Sequence, residues 1–179
     1  MSGQSDGALR ILGVDPGYAI LGWGVIEYRA SRHRLVGFGV FETEKDLPWP
    51  ERLKGIYTGL VGIVDEYSPD VCSVEELFFS SNQKTAIKVG EARGAAVLAC
   101  ANAGLPVYEY TPLQIKQALT GYGRADKRQI QEMVRQILGL ERAPRPDDAA
   151  DAVAAAICHA NSSGYIDKLE KYTAAGGRK

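Results

Sequence analysis

The sequence predicts one α/β domain built on a mixed sheet, and three observations lead there. Residues 9–15, 20–29 and about 34–43 are apolar, strand-like runs joined by tight turns, which makes an opening antiparallel meander. Two short apolar runs follow, "DVCSVEELF" at 70–78 and "PVYEYT" at 106–111, each nearly continuous as a central parallel strand is. Between and after them the apolar spacing changes to that of helices.

Each element has its own justification. The first two strands are joined by Asp15-Pro16-Gly17, a turn sequence. Residues 49–67 carry Leu53, Ile56, Tyr57, Leu60, Ile63 and Val64 at helical spacing, with Pro69 just past the end. Asn82 to Ala103 is a long helix rich in alanine and glycine, closed by Gly104. Further helices are expected at about 112–120, 126–138 and 147–160. The domain is expected to span 9–165, with residues 1–8 and 166–179 as flexible tails.

Composition narrows the class. The chain has 179 residues, 45% hydrophobic and 24% charged, which suits a single folded core. No apolar run approaches the ~18 residues of a membrane span. The start lacks the basic-then-apolar pattern of a secretion signal. Cys72, Cys100 and Cys158 are odd in number, lack C-x-x-C spacing and lie among apolar residues. They read as buried free thiols, and the expected compartment is the cytoplasm. The net charge of −1 announces no nucleic-acid binder. From Gln114 to Arg135, however, Lys116, Arg124, Lys127, Arg128 and Arg135 face only Asp126 and Glu132, a local excess of three positive charges.

The acids carry the chemical signal. Asp15 ends the first strand, and Glu75, with Glu76 beside it, ends the strand of "SVEELF". Asp147, Asp148 and Asp151 open an alanine-rich helix, and Asp148 and Asp151, three apart, share one face of it. Strand carboxyl ends in an α/β sheet open into the ligand crevice, so these acids can meet at one rim. Convergent carboxylates hold hard divalent cations. Each acid also has a plain reading: Asp147 or Asp148 as a helix cap, Asp15 as a turn residue, Glu75 as a solvated strand end. Asp151 resists such a reading, since it lies past the cap with Ala154 and Ala155 one turn on.

These motifs, "ILGVDPG", "VEELFF" and "DDAADA", together with "KVGEARGAA", "EYTPLQIKQALTG" and "ADKRQIQ", resemble the RuvC-type Holliday junction resolvases over about residues 9–160. That family is ribonuclease-H-like, so the resemblance implies a five-stranded mixed sheet, three antiparallel strands and then parallel ones, flanked by helices. It implies a catalytic acidic tetrad of Asp15, Glu75, Asp148 and Asp151, holding two Mg2+ or Mn2+ ions with Asp15 bridging them. Some relatives carry a histidine in place of the first acid of the final pair; here that position is Asp148, with Asp147 as an extra neighbour. The implied activity is metal-dependent nicking of four-way DNA junctions, leaving a 5′-phosphate.

Further residues follow from the same resemblance. Lys116 and Lys127 match catalytic basic residues, and Phe78 matches an aromatic wedge. Lys84, Lys88, Arg93, Arg124 and Arg128 extend an expected DNA track. Symmetric cutting requires a homodimer, whose seam is expected along the 82–103 helix, where Gly90, Ala92, Gly94, Ala95 and Ala96 permit close approach. A RuvA–RuvB branch-migration complex is the implied partner. Two other readings compete: a non-catalytic junction-binding module, and an actin-like or sugar-kinase ATPase subdomain. The second lacks a partner subdomain and a second phosphate-binding glycine loop.

Overall fold

The computed structural model describes residues 7–76 and 83–176, without the side chains of 83–85 and 165–176. Strand β1 (Leu9–Asp15) pairs antiparallel with β2 (Ile20–Arg29), and β2 with β3 (Arg32–Glu42). Helix α1 (Trp49–Tyr67) leads to β4 (Val71–Glu75), and α2 (Gln83–Asn102) to β5 (Val107–Tyr110). Both β4 and β5 join in parallel, giving a five-stranded sheet in the order β3-β2-β1-β4-β5. Helices α3 (Pro112–Thr120), α4 (Lys127–Ile137) and α5 (Asp147–Gly176) complete the chain. This is the ribonuclease-H-like arrangement expected from the sequence.

Strand alternation sorts the core into two layers. Leu12, Val14, Leu21, Trp23, Val25, Cys72 and Val74 face α1 and α2, where they meet Ile56, Leu60, Ala96 and Cys100. Ile11, Ile26 and Val71 face α5, α3 and α4. The α5 side is unusually close. A Cβ on Gly13 would stand 1.9 Å from the Ala152 carbonyl oxygen, and one on Gly24 2.3 Å from Val153 Cγ2. Glycines on the sheet and alanines on the helix therefore let two backbones touch. Ser73 locks the contact, its buried hydroxyl donating to the Ala155 carbonyl at 2.7 Å.

The last helix departs from the expected end at residue 160. It continues through residue 176, past the boundary drawn at 165. A helix already anchored over its first four turns propagates past Gly164 at little cost. Among the described residues, no helix is long and apolar enough to cross a membrane. All three cysteines are buried free thiols.

Candidate active site

The acids meet because three elements end at one edge of the sheet. Val14 pairs with Val74, so Asp15 and Glu75 project from adjacent parallel strands one residue further on. Asp15 also pairs with Gly22 across β2. Gly22 supports the start of α5, since a Cβ there would lie 2.0 Å from the Asp148 carbonyl oxygen. Asp148 and Asp151 are thereby held beside Asp15.

The electrostatics reflect how close these acids lie. Burial first, then the charges of Glu75, Asp151 and Asp148, push Asp15 up to about 7, with Lys127 partly opposing them. Burial also raises Glu75, reinforced by Asp151 and opposed by Lys116 and Lys127. Asp151 is raised by burial as well, although Lys127 pulls it the other way. Three half-buried carboxyls held above their ordinary range mark a cluster short of positive charge.

Two capped helices deliver the lysines. Thr111 caps α3 in a reciprocal box with Gln114, which sets Lys116 one turn in. Asp126 does the same for α4 with Gln129, placing Lys127 at the first helical position. Lys127 Nζ lies 3.0 Å from Asp151 Oδ2 and 3.5 Å from Asp147 Oδ2. Asp147 in turn pairs with Arg145. Against desolvation, these carboxylates hold the Lys127 ammonium above its ordinary value. An ammonium thus sits directly on one of the acids. Sequence distance hid this, because Lys127 and Asp151 meet only through the docking of α4 on α5.

Two clefts flank the acids. One of about 260 Å³ is lined by Glu75, Asp151, Lys116, Lys127, Ile115 and Ile130. The other, about 440 Å³, lies on the Asp148 side with Tyr18, Ile20 and Lys88. Tyr18 was missed by sequence reasoning, and its ring carries the Arg52 guanidinium 3.9 Å and the Lys88 ammonium 5.5 Å from its centroid. The only hint in the sequence is an aromatic three residues past Asp15.

The remaining basic residues divide. Lys88, Arg124 and Arg128 are exposed, and Arg128 lines a groove of about 700 Å³ with Tyr122, Arg135 and Arg145. Arg93, expected on the DNA track, is engaged within the protein. It is mostly buried and pairs with Glu109, tying α2 to β5. The side chain of Lys84, and Phe78 altogether, lie outside the described residues. His159 is a core residue, its Nδ1 2.8 Å from the Tyr110 hydroxyl.

A strand-end acid pair, a helix-start acid pair and two lysines on one rim can position phosphodiester chemistry. Comparison with known proteins bears on which chemistry. The family Crossover junction endodeoxyribonuclease RuvC matches residues 11–159. The chain belongs to the RuvC family. The RuvC of Chloroflexus aurantiacus is 57% identical over 161 residues, covering 90% of this chain and 98% of that protein. The solved RuvC of Thermus thermophilus superposes with a TM-score of 0.82 at 40% identity, over 88% of this chain and 96% of that one. The same enzyme solved in complex with a Holliday junction substrate gives 0.81 at 38% identity, with the same coverage. RuvC proteins are crossover junction endodeoxyribonucleases, so this chain is an endonuclease.

Proposed function

We propose that this RuvC-family protein resolves four-way DNA junctions by metal-dependent hydrolysis at the Asp15, Glu75, Asp148 and Asp151 cluster, in recombination and repair. The single observation that carries the site assignment is the elevation of Asp15 to about 7 by burial and its three acidic neighbours. Such a site demands positive charge, and its donors are all carboxylate oxygens, which suit Mg2+ or Mn2+. Among the described residues no three of these groups yet stand at the spacing of a metal cage. Asp151 instead faces the Lys127 ammonium. When bound, a pair of such ions supplies activation of the attacking water and stabilisation of the departing 3′ oxygen.

The chain's own residues do the rest. Asp15, Glu75, Asp148 and Asp151 hold the ions. Lys116 and Lys127, across the 260 Å³ cleft, neutralise and orient the scissile phosphate. Lys88, Arg124 and Arg128 extend contacts to the DNA backbone. Phe78 is the base wedge. Symmetric cutting needs a second copy, and α2 offers a face for it: Ile87 and Leu98 are exposed, and Gly90 and Gly94 have open space before them. Further expectations are work in the cytoplasm with RuvA–RuvB.

The test is nicking of a synthetic four-way junction in Mg2+, with both strands labelled. Paired nicks at symmetric positions, leaving 5′-phosphates, are expected of the wild type. Asp15→Asn, Glu75→Gln and Asp151→Asn should bind junctions and leave them intact. Substantial nicking by any of the three breaks the tetrad assignment.

A further inference from the structure

We propose that Asp147, outside the metal-binding tetrad, is a positioning residue that keeps Lys127 at the cleft once Asp151 is engaged by metal. The inference rests on the metal-dependent reading above.

Lys127 is shared in the structure between two acids of unlike situation. Asp151, 3.0 Å away, belongs to the cluster around Asp15. Asp147, 3.5 Å away, adds its charge to Asp151 but is not among the acids that act on Asp15, which are Glu75, Asp151 and Asp148. Asp147 is anchored from the outside instead. Arg145 pairs with its Oδ1, and the buried side chain of Gln131 lies close enough to favour its charged form. The pairings with Arg145 and Lys127 use different oxygens, Oδ1 and Oδ2, so the carboxylate can hold both at once.

The consequence follows from competition. A divalent ion on Asp151 and the Lys127 ammonium seek the same lone pairs, so metal loading displaces the lysine from Asp151. A lysine carries a long, freely rotating stem, and without a second partner it would spread over many rotamers in solvent. Asp147 supplies that partner a short distance away, on the same helix turn. The ammonium therefore stays at the mouth of the 260 Å³ cleft, where a phosphate would enter. Asp147 contacts neither metal nor DNA in this scheme and acts through Lys127 alone.

The test is a double-mutant cycle with Asp147→Asn and Lys127→Met in the full chain, read in two ways. Mn2+ binding is followed by titration calorimetry, and cleavage by single-turnover kinetics at saturating Mn2+ and junction. In the wild-type background Asp147→Asn should weaken Mn2+ binding about two- to fivefold, the range of an exposed ion pair, and slow the saturated rate. In the Lys127→Met background the same substitution should change neither. Asp147→Glu should restore much of the wild-type behaviour. Equal losses in both backgrounds would overturn the proposal, since Asp147 would then act by its own charge. A loss as complete as that of Asp151→Asn would also overturn it, by making Asp147 a metal ligand. Should Asp147→Asn fold poorly by thermal melting, Arg145→Gln, at a side chain that is itself 70% exposed, removes the outer anchor of Asp147, with the same expected direction. Absence of Mn2+ binding by the wild type would bring down the metal reading itself, a result distinct from additivity in the cycle.

Discussion

The backbone of Gly22 supports the backbone of Asp148: a Cβ at Gly22 would stand 2.0 Å from the Asp148 carbonyl oxygen. No side chain mediates this contact, so nothing flexible can yield. It links the strand residue paired with Asp15 to the helix start that carries Asp148 and Asp151.

Gly22→Ala should therefore displace the start of α5. Overpacking of this kind costs ~1–3 kcal/mol, and a catalytic group moved by about 1 Å can lose ~100-fold in rate. We expect a folded, less stable protein with cleavage reduced by roughly that factor. Gly62→Ala is the control, because α1 leaves open space around that position. It should gain ~0.5–1 kcal/mol from helix propensity and cleave normally. Chemical denaturation and single-turnover cleavage check both. Wild-type cleavage by Gly22→Ala would show that the contact does not set the acids.

The Asp15 carboxyl makes a prediction about pH. Without metal it titrates at about 7 in the folded protein, against 3.8 ordinarily. A folded-state value above the unfolded one means that the folded protein holds the proton more tightly. Its stabilising contribution is complete below the unfolded value and is lost as pH rises toward the folded one. The metal-free protein should thus lose stability from this group between roughly pH 4 and 7. Glu75 and Asp151, also raised, add in the same direction. Asp15→Asn should flatten that slope and melt higher than the wild type at about pH 8 without metal. Mn2+ should bind more tightly as pH rises through this range, releasing a proton measurable by calorimetry in buffers of different ionisation enthalpy. An Asp15→Asn variant no more stable than the wild type at alkaline pH would contradict the assignment.

The acids were legible in the sequence because each interrupts a pattern. Asp15 and Glu75 end apolar strands, and Asp151 sits on an alanine face where a carboxylate has no business unless something cationic meets it. The glycines that seat α5 were not read from the sequence, although their pattern is there. Gly22 and Gly24 alternate on one face of β2, opposite a helix rich in alanine. Arg93 was not legible as structural, since its partner Glu109 lies on a different element and no periodicity of α2 identifies it. The Lys127–Asp147–Arg145 chain was equally hidden. It depends on how α4 docks against α5, a relation that local spacing does not encode.

The two lysines should separate chemistry from affinity. Both oppose the rise of Glu75, which places their charges at the acids and not merely along the DNA. Lys116→Ala and Lys127→Ala should lower the saturated cleavage rate by about 100-fold or more, the worth of one preorganised charge-stabilising donor. Junction affinity should fall only slightly, with little change in its salt dependence. Electrophoretic titrations at several salt concentrations, beside single-turnover rates, make the comparison. A smaller salt slope with an unchanged saturated rate would reduce both residues to ordinary backbone contacts.

Phe78 makes the last prediction, argued from sequence because it lies outside the described residues. It stands three residues past Glu75 in "VEELFFSSN", after which Ser80, Ser81 and Asn82 lead to the start of α2. Glu75 lines the cleft, and Phe78 is expected at the cleft mouth from its place in the sequence alone. An aromatic ring there can stack on an unpaired base, worth ~1–3 kcal/mol by alanine substitution. Drawing a base from its stack costs a few kcal/mol, and a ring that offsets this opens the crossover to the acids. Phe79 remains for packing. Phe78→Ala should fold with an unchanged melting temperature, bind junctions, and cleave a fully paired junction slowly. A junction with unpaired bases at its centre should recover much of the rate, because its opening is already done. A melting temperature lowered by many degrees, or no recovery on the unpaired substrate, would make Phe78 a core residue and remove the wedge.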